Sequence, residues 1–390
     1  MAGPRVFNRA GELPAWARWS SAGAERPWAV GLEEEVVLLD PRDWSVANRI
    51  DDVLDALPSA IVAHASAETH ACVLELNTGA HATVADAAAE LAWLRRSVES
   101  ALRDRLGLRA AVAGTHPLAT RSEVAIASGL RYQQIDASMR ALARREPTMA
   151  QHVHVAVPDP AAAVRALDGL RSDLPVLLAL SANSPYWRGR DSGFASIRTP
   201  IFSMFPRVGI PRHFGTYDQY VRTVEPLLSS GAIPEPGFLW WDARLRPRLG
   251  TVEVRIMDAQ SGVADAAALA AVVHCLVRRH AQGDCAAVTA PELLEENRFL
   301  AARDGVQAKL IDVRTQRRRP LREALDELLM DCEPFADGLD CTAELATAAA
   351  LSADTGYERQ RRYAARDGLA HLPARLADAY TATGRELLPA

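Results

Sequence analysis

Acidic and histidine side chains stand at alternating positions in short segments that lie far apart in the chain. The residues that could bind a metal ion are Glu33, Glu35, Glu75, Glu253, His152 and His154. In a β-strand, residues i and i+2 point to the same face of the sheet. If these segments are strands of one sheet, their side chains project from one surface. Carboxylates gathered there repel one another, so burying them requires cations.

This set of side chains favours a particular kind of metal site. Oxygen ligands with one imidazole suit Mg²⁺ or Mn²⁺ better than Zn²⁺. His154 is the favoured nitrogen ligand, and the sequence leaves open which of His152 and His154 is the ligand. Arg255 shares the face of Glu253 and could bind a phosphate oxygen, the alternative being a surface salt bridge. The pattern indicates metal-assisted chemistry on a nucleotide.

Two further glutamates are less clear from spacing. Glu34 should face away from Glu33 and Glu35 and is interpreted as structural. Glu68 lies seven residues before Glu75, which places it on the opposite face if the strand is unbroken. The turn-like sequence around Glu68 allows a contact from a loop instead, so it stays a weaker candidate.

Substrate and nucleotide contacts are assigned to arginine, histidine and amide side chains. Arg190 and Arg198 stand in a long segment rich in Gly, Pro and aromatic residues, and either could bind a substrate carboxylate with two hydrogen bonds. Asn183 is assigned with His152 and Arg255 to nucleotide binding. The alternative for Asn183 is a structural role as the cap of the next segment.

The elements that must position these residues alternate irregularly between strands and helices. Strands are predicted at 28–40, 71–76, 109–114, 152–157 and 251–258. Helices are predicted at 51–62, 83–108, 131–145, 161–170, 174–181 and 217–230, and over most of the chain after 264. The sequence contains neither GxGxxG nor a GxxxxGK[ST] loop and shows no regular βαβ alternation. These observations favour an α+β fold, in which helices pack behind a mainly antiparallel sheet.

The domain organisation follows from the same survey. Residues 1–27 are expected to form an irregular lead-in, and residues 28–263 a catalytic core that contains the sheet. Residues 264–390 are expected to form a mostly helical part packed on the same domain. A chain of 390 residues is long enough for this arrangement.

Composition excludes several classes of protein. A net charge of −5 argues against general nucleic-acid binding. The longest apolar stretches are too short or too interrupted to span a membrane, and no apolar segment typical of a signal peptide is seen near the N-terminus. Five scattered cysteines without a CxxC pair favour a reduced, cytoplasmic protein.

Nine short runs, in order, carry a resemblance to a known family. They are GLEEE at 31–35, E-x6-ELNTG at 68–79, AGTHP at 113–117, RY at 131–132, HVHV at 152–155, LSANSPYWRGRD at 180–191, WD at 241–242, GTVEVR at 250–255 and ENR at 296–298. Together they resemble the carboxylate–amine ligase family, the second type of bacterial glutamate–cysteine ligase. The resemblance is good over positions 28–305 and loose in the C-terminal helices.

The resemblance implies a fold like that of glutamine synthetase, with metal ligands, ATP and the substrates on the concave face of a curved sheet. It implies ATP- and Mg²⁺-dependent amide formation through an acyl phosphate, often with glutamate as the acid, and a homodimer. Cysteine is one candidate for the amine, and other small amines stay open.

Two other functions are compatible with the residues. A small-molecule kinase on the same fold would transfer phosphate without ligation. A non-catalytic nucleotide-binding protein would keep the fold alone, but unused buried carboxylates would only destabilise it.

Overall fold

A computed structural model describes residues 12–283 and 290–382 of the chain. The strands in these ranges are β1 (Val30–Leu39), β2 (Ala65–Ala67), β3 (Val73–Asn77), β4 (Arg109–Ala111), β5 (Gln151–Ala156), β6 (Tyr186–Trp187), β7 (Arg190–Asp191), β8 (Val208–Gly209), β9 (Trp240–Trp241), β10 (Ala243–Arg246), β11 (Thr251–Val254), β12 (Lys309–Ile311) and β13 (Arg318–Pro320). The α-helices are α1 (Ala22–Glu25), α2 (Ile50–Ala56), α3 (Ser59–Val62), α4 (Val84–Ala101), α5 (Leu130–Met139), α6 (Pro160–Leu170), α7 (Leu174–Ser181), α8 (Arg198–Phe202), α9 (Tyr217–Ser229), α10 (Val263–Gln282), α11 (Pro291–Asp304), α12 (Leu321–Ala336), α13 (Thr342–Leu351), α14 (Gly356–Asp367) and α15 (Leu372–Ala379).

Seven strands form the main sheet, in the order β10-β11-β5-β1-β3-β2, with β4 pairing beside the end of β1. Every pairing within it is antiparallel. The prediction of a mainly antiparallel sheet with helices packed against it is therefore confirmed. Strand β1 is central, since it pairs with β3 along one edge and with β5 and then β4 in succession along the other.

The alternation of β1 separates a packed face from a polar face. Leu32, Glu34 and Val36 are buried, and the odd-numbered Glu33 and Glu35 between them point to the opposite side. Glu34 is a charged residue on the packed face. Such a residue requires a partner, because an isolated buried charge is strongly unfavourable.

Arg95 of α4 is the partner of Glu34, and both side chains are fully buried. The Arg95 Nε donates to Glu34 at 2.8 Å, and Nη2 donates to the carbonyl of Gln260 at 2.8 Å. Its Nη1 donates to the carbonyls of Ser261 at 2.9 Å and Tyr380 at 3.1 Å. The predicted structural role of Glu34 is confirmed by this ion pair.

Helices cover the packed face of the sheet. Helix α10 is almost entirely buried and packs against α4, α6 and α13, while α15 packs against β4. Local caps fix where several helices start. Thr83 accepts a hydrogen bond from the amide of Asp86 at the start of α4, and Asp159 accepts one from Ala162 at the start of α6.

The predicted helix 83–108 ends earlier than expected. Helix α4 stops at Ala101 and continues as a π-helical turn over Leu102–Leu106. Gly107, with φ of +66°, then closes the segment in the left-handed conformation that a glycine adopts without strain. Among the described residues, no helix combines the length and the apolar run that crossing a bilayer requires.

Two strands of the main sheet were not predicted. Strand β2 has only three residues, and β10 occupies the arginine-rich approach to β11. The long segment at 182–216 contains the short helix α8 as well as strands of two residues. Short elements of this kind depend on tertiary pairing, and their local sequence signal is weak.

Candidate active site

The strand register brings the predicted metal ligands onto one face of the sheet. Glu33 lies opposite His152, and Glu35 lies opposite Glu75. On the next strand, His154 lies opposite Glu253. Paired residues in an antiparallel sheet point to the same side, so the predicted common surface is confirmed. Both histidines face this surface, and only His154 belongs to a group of potential ligands within the described residues.

Glu33, His154 and Glu253 form the first cluster, with one potential ligand atom of each within 4.8 Å of the others. The Nε2 of His154 lies 2.9 Å from Glu33 Oε1 and 3.9 Å from Glu253 Oε2. It is buried without a well-aligned hydrogen bond among the described residues, while Nδ1 is 3.1 Å from the hydroxyl of Thr251. This contact orients the ring and leaves Nε2 for another ligand.

His152 connects the first cluster to the rest of the face. Its Nδ1 lies 2.9 Å from a carboxylate oxygen of Glu33, and its buried Nε2 lies 3.9 Å from Glu35. Burial and the charge of Arg255 lower the pKa of His152 to about 4. Burial opposes the ionisation of Glu33, but the charge of His154 and the hydrogen bonds of both histidines hold its pKa well below the usual value. Glu33 is therefore an anion, and His152 is a neutral imidazole.

Glu35, Glu68 and Glu75 form the second cluster, again with ligand atoms within 4.8 Å of one another. Burial and the charge of Glu68 raise the pKa of Glu35 to about 8. Burial and the charges of Glu33 and Glu68 raise the pKa of Glu75 to about 7. Three carboxylates this close repel one another, and a bound cation would relieve the repulsion.

The position of Glu68 corrects its weaker ranking in the sequence. The chain reverses between β2 and β3, so Ser66 lies opposite Glu75, and Glu68 follows two residues after Ser66. The strand is broken between Glu68 and Glu75, so the turn-like alternative for Glu68 holds and the opposite-face alternative does not. Glu68 therefore faces the same side as Glu75.

Arginines surround Glu253 within the sheet. Arg244 donates to its two carboxylate oxygens at 2.7 and 3.0 Å, and Arg246 donates at 3.0 Å. Arg255 also donates to Glu253. Burial opposes the ionisation of Glu253, but the charges of Arg244 and Arg255 outweigh it and hold the pKa well below the usual value. The face thus presents positive as well as negative charge.

Arg244 and Arg246 were missed as site residues in the sequence. A signal was present, because they alternate on one strand in the same way as Glu253 and Arg255 do on the next. The register of β10 against β11 places Arg244 opposite Glu253. Recognising β10 as a strand would have placed both arginines on the polar face.

Two cavities lie against this face. The main cavity has a volume of about 470 Å³, and its lining includes Glu33, Glu75 and a group of basic and aromatic residues: Arg131, Arg244, Arg246, Arg248, Trp16 and Trp240. A side chamber of about 100 Å³ is lined in part by Glu35 and Arg198. The linings share five residues, which are Glu68, Arg131, His152, Trp240 and Arg255. The two spaces are therefore neighbours that share the carboxylate of Glu68.

Arg198 and Arg190, both predicted to bind a substrate carboxylate, occupy different environments. Arg198 is buried and lines the side chamber, with Nη1 donating to the carbonyl of Ile256 at 3.0 Å. Arg190 is exposed on β7, and the described linings of the two cavities do not include it. The structure does not bring Arg190 to the substrate surface, because the β6–β7 hairpin holds it in solvent.

Asn183 is buried away from both cavities. Its amide donates to the carbonyl of Ala259 at 2.8 Å, and Gln360 donates to its side-chain oxygen at 2.8 Å. A side chain at Gly356 would collide with Asn183, so α14 packs directly on it. This position does not support nucleotide binding by Asn183 and agrees with the structural alternative.

The donor set fits divalent cations that prefer oxygen. Glu33, His154 and Glu253 could hold one ion, and Glu35, Glu68 and Glu75 a second. The buried Nε2 of His152, which has no hydrogen-bond partner among the described residues, and the Nε2 of His154, which lies 2.9 Å from Glu33, fit the same interpretation. The four described cysteines are buried and are not members of either cluster.

The fold is similar to that of two solved enzymes. A glutamate–cysteine ligase of Francisella tularensis, solved in complex with AMP, has a TM-score of 0.71 and 13% identity, covering 93% of this chain and 91% of that one. A bifunctional glutathione synthetase of Pasteurella multocida has a TM-score of 0.68 and 14% identity, covering 91% of this chain and 52% of that one. At these identities the likeness establishes the fold alone.

Sequence comparison gives nearer relatives. A protein of Rubrobacter xylanophilus provisionally named glutamate–cysteine ligase 2-3 is 41% identical, covering 89% of this chain and 95% of that protein. One of Herpetosiphon aurantiacus, provisionally named glutamate–cysteine ligase 2, is 34% identical over 86% of this chain and 88% of that protein. The sequence model of glutamate–cysteine ligase family 2 matches residues 29–380. The chain therefore belongs to glutamate–cysteine ligase family 2 and is a ligase of the class that forms carbon–nitrogen bonds.

Proposed function

We propose that the chain is an ATP- and Mg²⁺-dependent ligase that joins the γ-carboxyl group of glutamate to an amine through an acyl phosphate. The observation that carries this proposal is the pair of carboxylate clusters on one sheet face, flanked by arginines at the main cavity. The names of the relatives support glutamate as the acid. The AMP complex of a protein with the same fold supports a nucleotide as the other substrate.

The proposed reaction has two steps that conserve atoms and charge. A carboxylate oxygen of the acid attacks the γ-phosphorus of ATP, the bond to the β-phosphate oxygen breaks, and ADP leaves. The amine nitrogen then attacks the acyl carbon, phosphate departs, and the nitrogen loses a proton. Both steps require positioning of the reactants and neutralisation of phosphate charge, and the phosphoryl transfer also requires the attacking and leaving oxygens to be in line.

Residues of the polar face fit these requirements. When bound, Mg²⁺ supplies positive charge to the phosphate oxygens, and the two clusters would hold it. Arg255 lies between the clusters, with Nη1 bonded to Glu253 and 3.3 Å from His152 Nδ1. Its Nε is buried and has no hydrogen-bond partner among the described residues. Arg255 can therefore bind a phosphate oxygen while Glu253 holds it in place.

The main cavity matches the nucleotide in size and charge. Its volume of about 470 Å³ falls in the range of about 300–1,000 Å³ that is usual for ligand pockets. Arg244 and Arg246 place positive charge along one side, and Trp16 and Trp240 supply aromatic surface. We assign the nucleotide to this cavity on these grounds.

Product analysis with purified protein tests the proposal. ATP, Mg²⁺, glutamate and a pooled panel of amines are supplied, ADP is quantified, and products are identified by mass. The expected result is an amide formed in equal amount with ADP, and splitting the pool then identifies the amine. ADP with a stable phosphorylated product and no amide would replace the ligase by a kinase. ATP binding without turnover over the whole panel would overturn the proposal.

A matched pair of variants controls this experiment. Glu35→Ala removes a carboxylate of the second cluster and is expected to abolish ADP formation. Arg190→Ala changes an exposed residue outside both linings and is expected to keep it. Equal activity in the two variants would contradict the assignment of the active site.

A further inference from the structure

The segment before the first strand contributes to the main cavity. Residues 12–27, here called the N-terminal strap, contain a short 3₁₀-helix at Ala15–Ala17 and helix α1. The strap supplies Trp16 to the lining of the main cavity. The family model matches residues 29–380, so the strap precedes the matched region. What Trp16 adds to the cavity therefore comes from a part of the chain that the family model does not include.

The strap packs on the turn that joins β10 to β11. The amide of Ser20 donates to the carbonyl of Pro247 in this turn at 2.8 Å. Gly23 comes so close to the turn that a Cβ atom on it would lie 2.7 Å from the carbonyl oxygen of Gly250. Pro247 and Leu249 of the same turn line the main cavity. The strap and the turn therefore form one wall of that cavity.

A hydrogen bond holds the indole of Trp16 in a defined orientation. Its Nε1 donates to a carboxylate oxygen of Glu225 on α9 at 2.6 Å, and its ring lies 6.2 Å from that of Tyr220. Beside it, the hydroxyl of Tyr217 donates to the carbonyl of Ala17 at 2.6 Å. Among the described residues, Glu225 is not part of the cavity lining. The polar edge of the indole is thus already bound, and the carbon surface of the ring is what the cavity offers to a ligand.

Trp240, the other tryptophan in this lining, is less available to a ligand. The rings of Phe205 and Phe238 lie 5.8 and 5.7 Å from its ring, and the guanidinium of Arg207 lies 5.3 Å from it. These three groups already cover much of the indole. Trp16 is therefore the better candidate for stacking on a bound molecule.

The main cavity is acidic at one end and carries apolar surface at the other. Glu33 in its lining belongs to the first carboxylate cluster. Arg244 lies opposite Glu253 of that cluster, and the following residues of β10 lead away from it to the turn. There Leu249, which is 47% exposed, and Trp16 supply apolar surface. A nucleotide has a matching polarity, with metal-binding phosphates at one end and a base with flat π-faces at the other.

We propose that Trp16 stacks on the base of the nucleotide, and that the N-terminal strap and Leu249 form the subsite for that base. The phosphates then extend along Arg246 and Arg244 toward the carboxylate clusters. This assignment rests on the proposed function and adds to it a residue that determines affinity for the base. It also gives the strap a role in substrate binding.

Inorganic tripolyphosphate is the matched probe, since it carries the phosphates of ATP without the ribose and the base. Titration calorimetry uses the full chain with Mg²⁺ and without glutamate. Trp16→Ala should weaken ATP binding about tenfold, an effect typical of losing one aromatic–base stack. The same variant should bind tripolyphosphate as tightly as wild type does. Trp16→Phe keeps an aromatic ring and should recover part of the loss.

Trp19 provides the control for movement of the strap. Its indole donates to the carbonyl of Val157 at 3.1 Å, and its ring lies 6.0 Å from that of Tyr217. Trp19 is not among the described residues that line the main cavity. Trp19→Phe removes the hydrogen bond, keeps a ring against Tyr217 and should leave ATP affinity as in wild type. A loss as large as that in Trp16→Ala would show that affinity depends on the position of the strap, and would overturn the stacking role.

Kinetics of the ligase reaction give a second readout. In Trp16→Ala the KM for ATP should rise, while kcat and the KM for glutamate stay as in wild type. A rise in the KM for glutamate alone would assign this end of the cavity to the acid and overturn the proposal. Equal weakening of ATP and tripolyphosphate would overturn it as well, since the base would then contribute nothing through Trp16. Failure of wild type to bind ATP would refute the proposed function, and the base subsite with it.

Discussion

Arg244 and Glu253 face each other across β10 and β11 and form a bidentate ion pair with hydrogen bonds of 2.7 and 3.0 Å. Arg244 is 5% exposed and Glu253 is fully buried. Carbonyls of Gly237 and Leu239 accept further hydrogen bonds from Arg244 at 3.0 and 2.7 Å. The carboxylate of Glu253 therefore anchors positive charge at the main cavity in addition to serving as a candidate metal ligand.

Replacing Glu253 by Gln should damage both stability and activity. The change leaves buried guanidinium groups without their counter-charge, and breaking a buried pair in this way costs about 3–5 kcal/mol. Urea denaturation of the metal-free protein should show this loss in the free energy of unfolding, and ADP formation should cease. A loss below 1 kcal/mol would show that Arg244 and Arg255 find other partners.

Replacing Glu35 by Gln, unlike the change at Glu253, should raise the stability of the metal-free protein at the alkaline end of its pH range. Burial and Glu68 raise the pKa of Glu35 to about 8 from an ordinary value of 4.5. The folded metal-free protein binds this proton more tightly than the unfolded chain does, so its stability falls as pH rises to about 8. Glu35→Gln should therefore make the decrease in stability with rising pH smaller.

The useful window for that measurement is pH 6.5 to 8.5. Below it, buried histidines such as His152, with a pKa lowered to about 4, change stability in the other direction. Thermal unfolding of wild type without metal should show a decreasing Tm across the window, and the variant a smaller decrease. Parallel curves for the two proteins would contradict the assigned titration of Glu35.

Metal binding should become tighter with rising pH over the same window. The pKa of Glu75 is raised to about 7 by burial and the charges of Glu33 and Glu68, so a cation must displace protons from the second cluster. Each released proton increases the affinity by up to about tenfold per pH unit below the pKa. Mn²⁺ titrations in two buffers of different ionisation enthalpy would count the protons, and release of none would refute the prediction.

Breaking the Glu34–Arg95 ion pair on the packed face of the sheet should lower stability without lowering activity. Glu34→Gln leaves Arg95 buried without its counter-charge, which costs about 3–5 kcal/mol by the same argument. Because Glu34 points away from the cavities, kcat/KM per folded molecule should stay within about twofold of wild type. Activity corrected for the folded fraction at low temperature checks this expectation. A selective loss of kcat would indicate that β1 itself has shifted.

Arg255 and Arg190 provide a contrast between a cavity residue and an exposed one. Arg255→Ala removes a donor aimed at developing phosphate charge, and such a loss lowers kcat by about 10²–10³. Arg190→Ala should leave kcat/KM within about twofold of wild type, since Arg190 lies in solvent on β7. A comparable loss in Arg190→Ala would place the hairpin in contact with substrate during turnover.

Alternation along β1, β5 and β11 predicted which side chains of each strand share a face. Side chains at i and i+2 share a face in any strand, so Glu33 with Glu35 and His152 with His154 could be paired from sequence. The strand register was needed to group Glu33, His154 and Glu253. Glu68 could not be placed in this way. Its orientation depends on a hairpin whose first strand has only three residues, and so short a strand has little sequence signal.

Arg190 and Asn183 show a different limit of sequence analysis. Both lie in the run LSANSPYWRGRD, but one ends in solvent and the other under α14. The environment of Asn183 is set by residues far away in the chain, among them Ala259 and Gln360. A pattern that is local in sequence cannot convey contacts made over such separations.

The hydrogen bond from Arg95 to the carbonyl of Tyr380 has a consequence for synthesis of the protein. Tyr380 lies 285 positions after Arg95, so this contact cannot form until translation has passed residue 380. The strand that carries Glu33 and Glu35 carries Glu34 on its reverse side and depends on this late partner. We therefore expect chains that end before residue 380 to pack Arg95 incompletely and to unfold at a lower urea concentration than chains that include it.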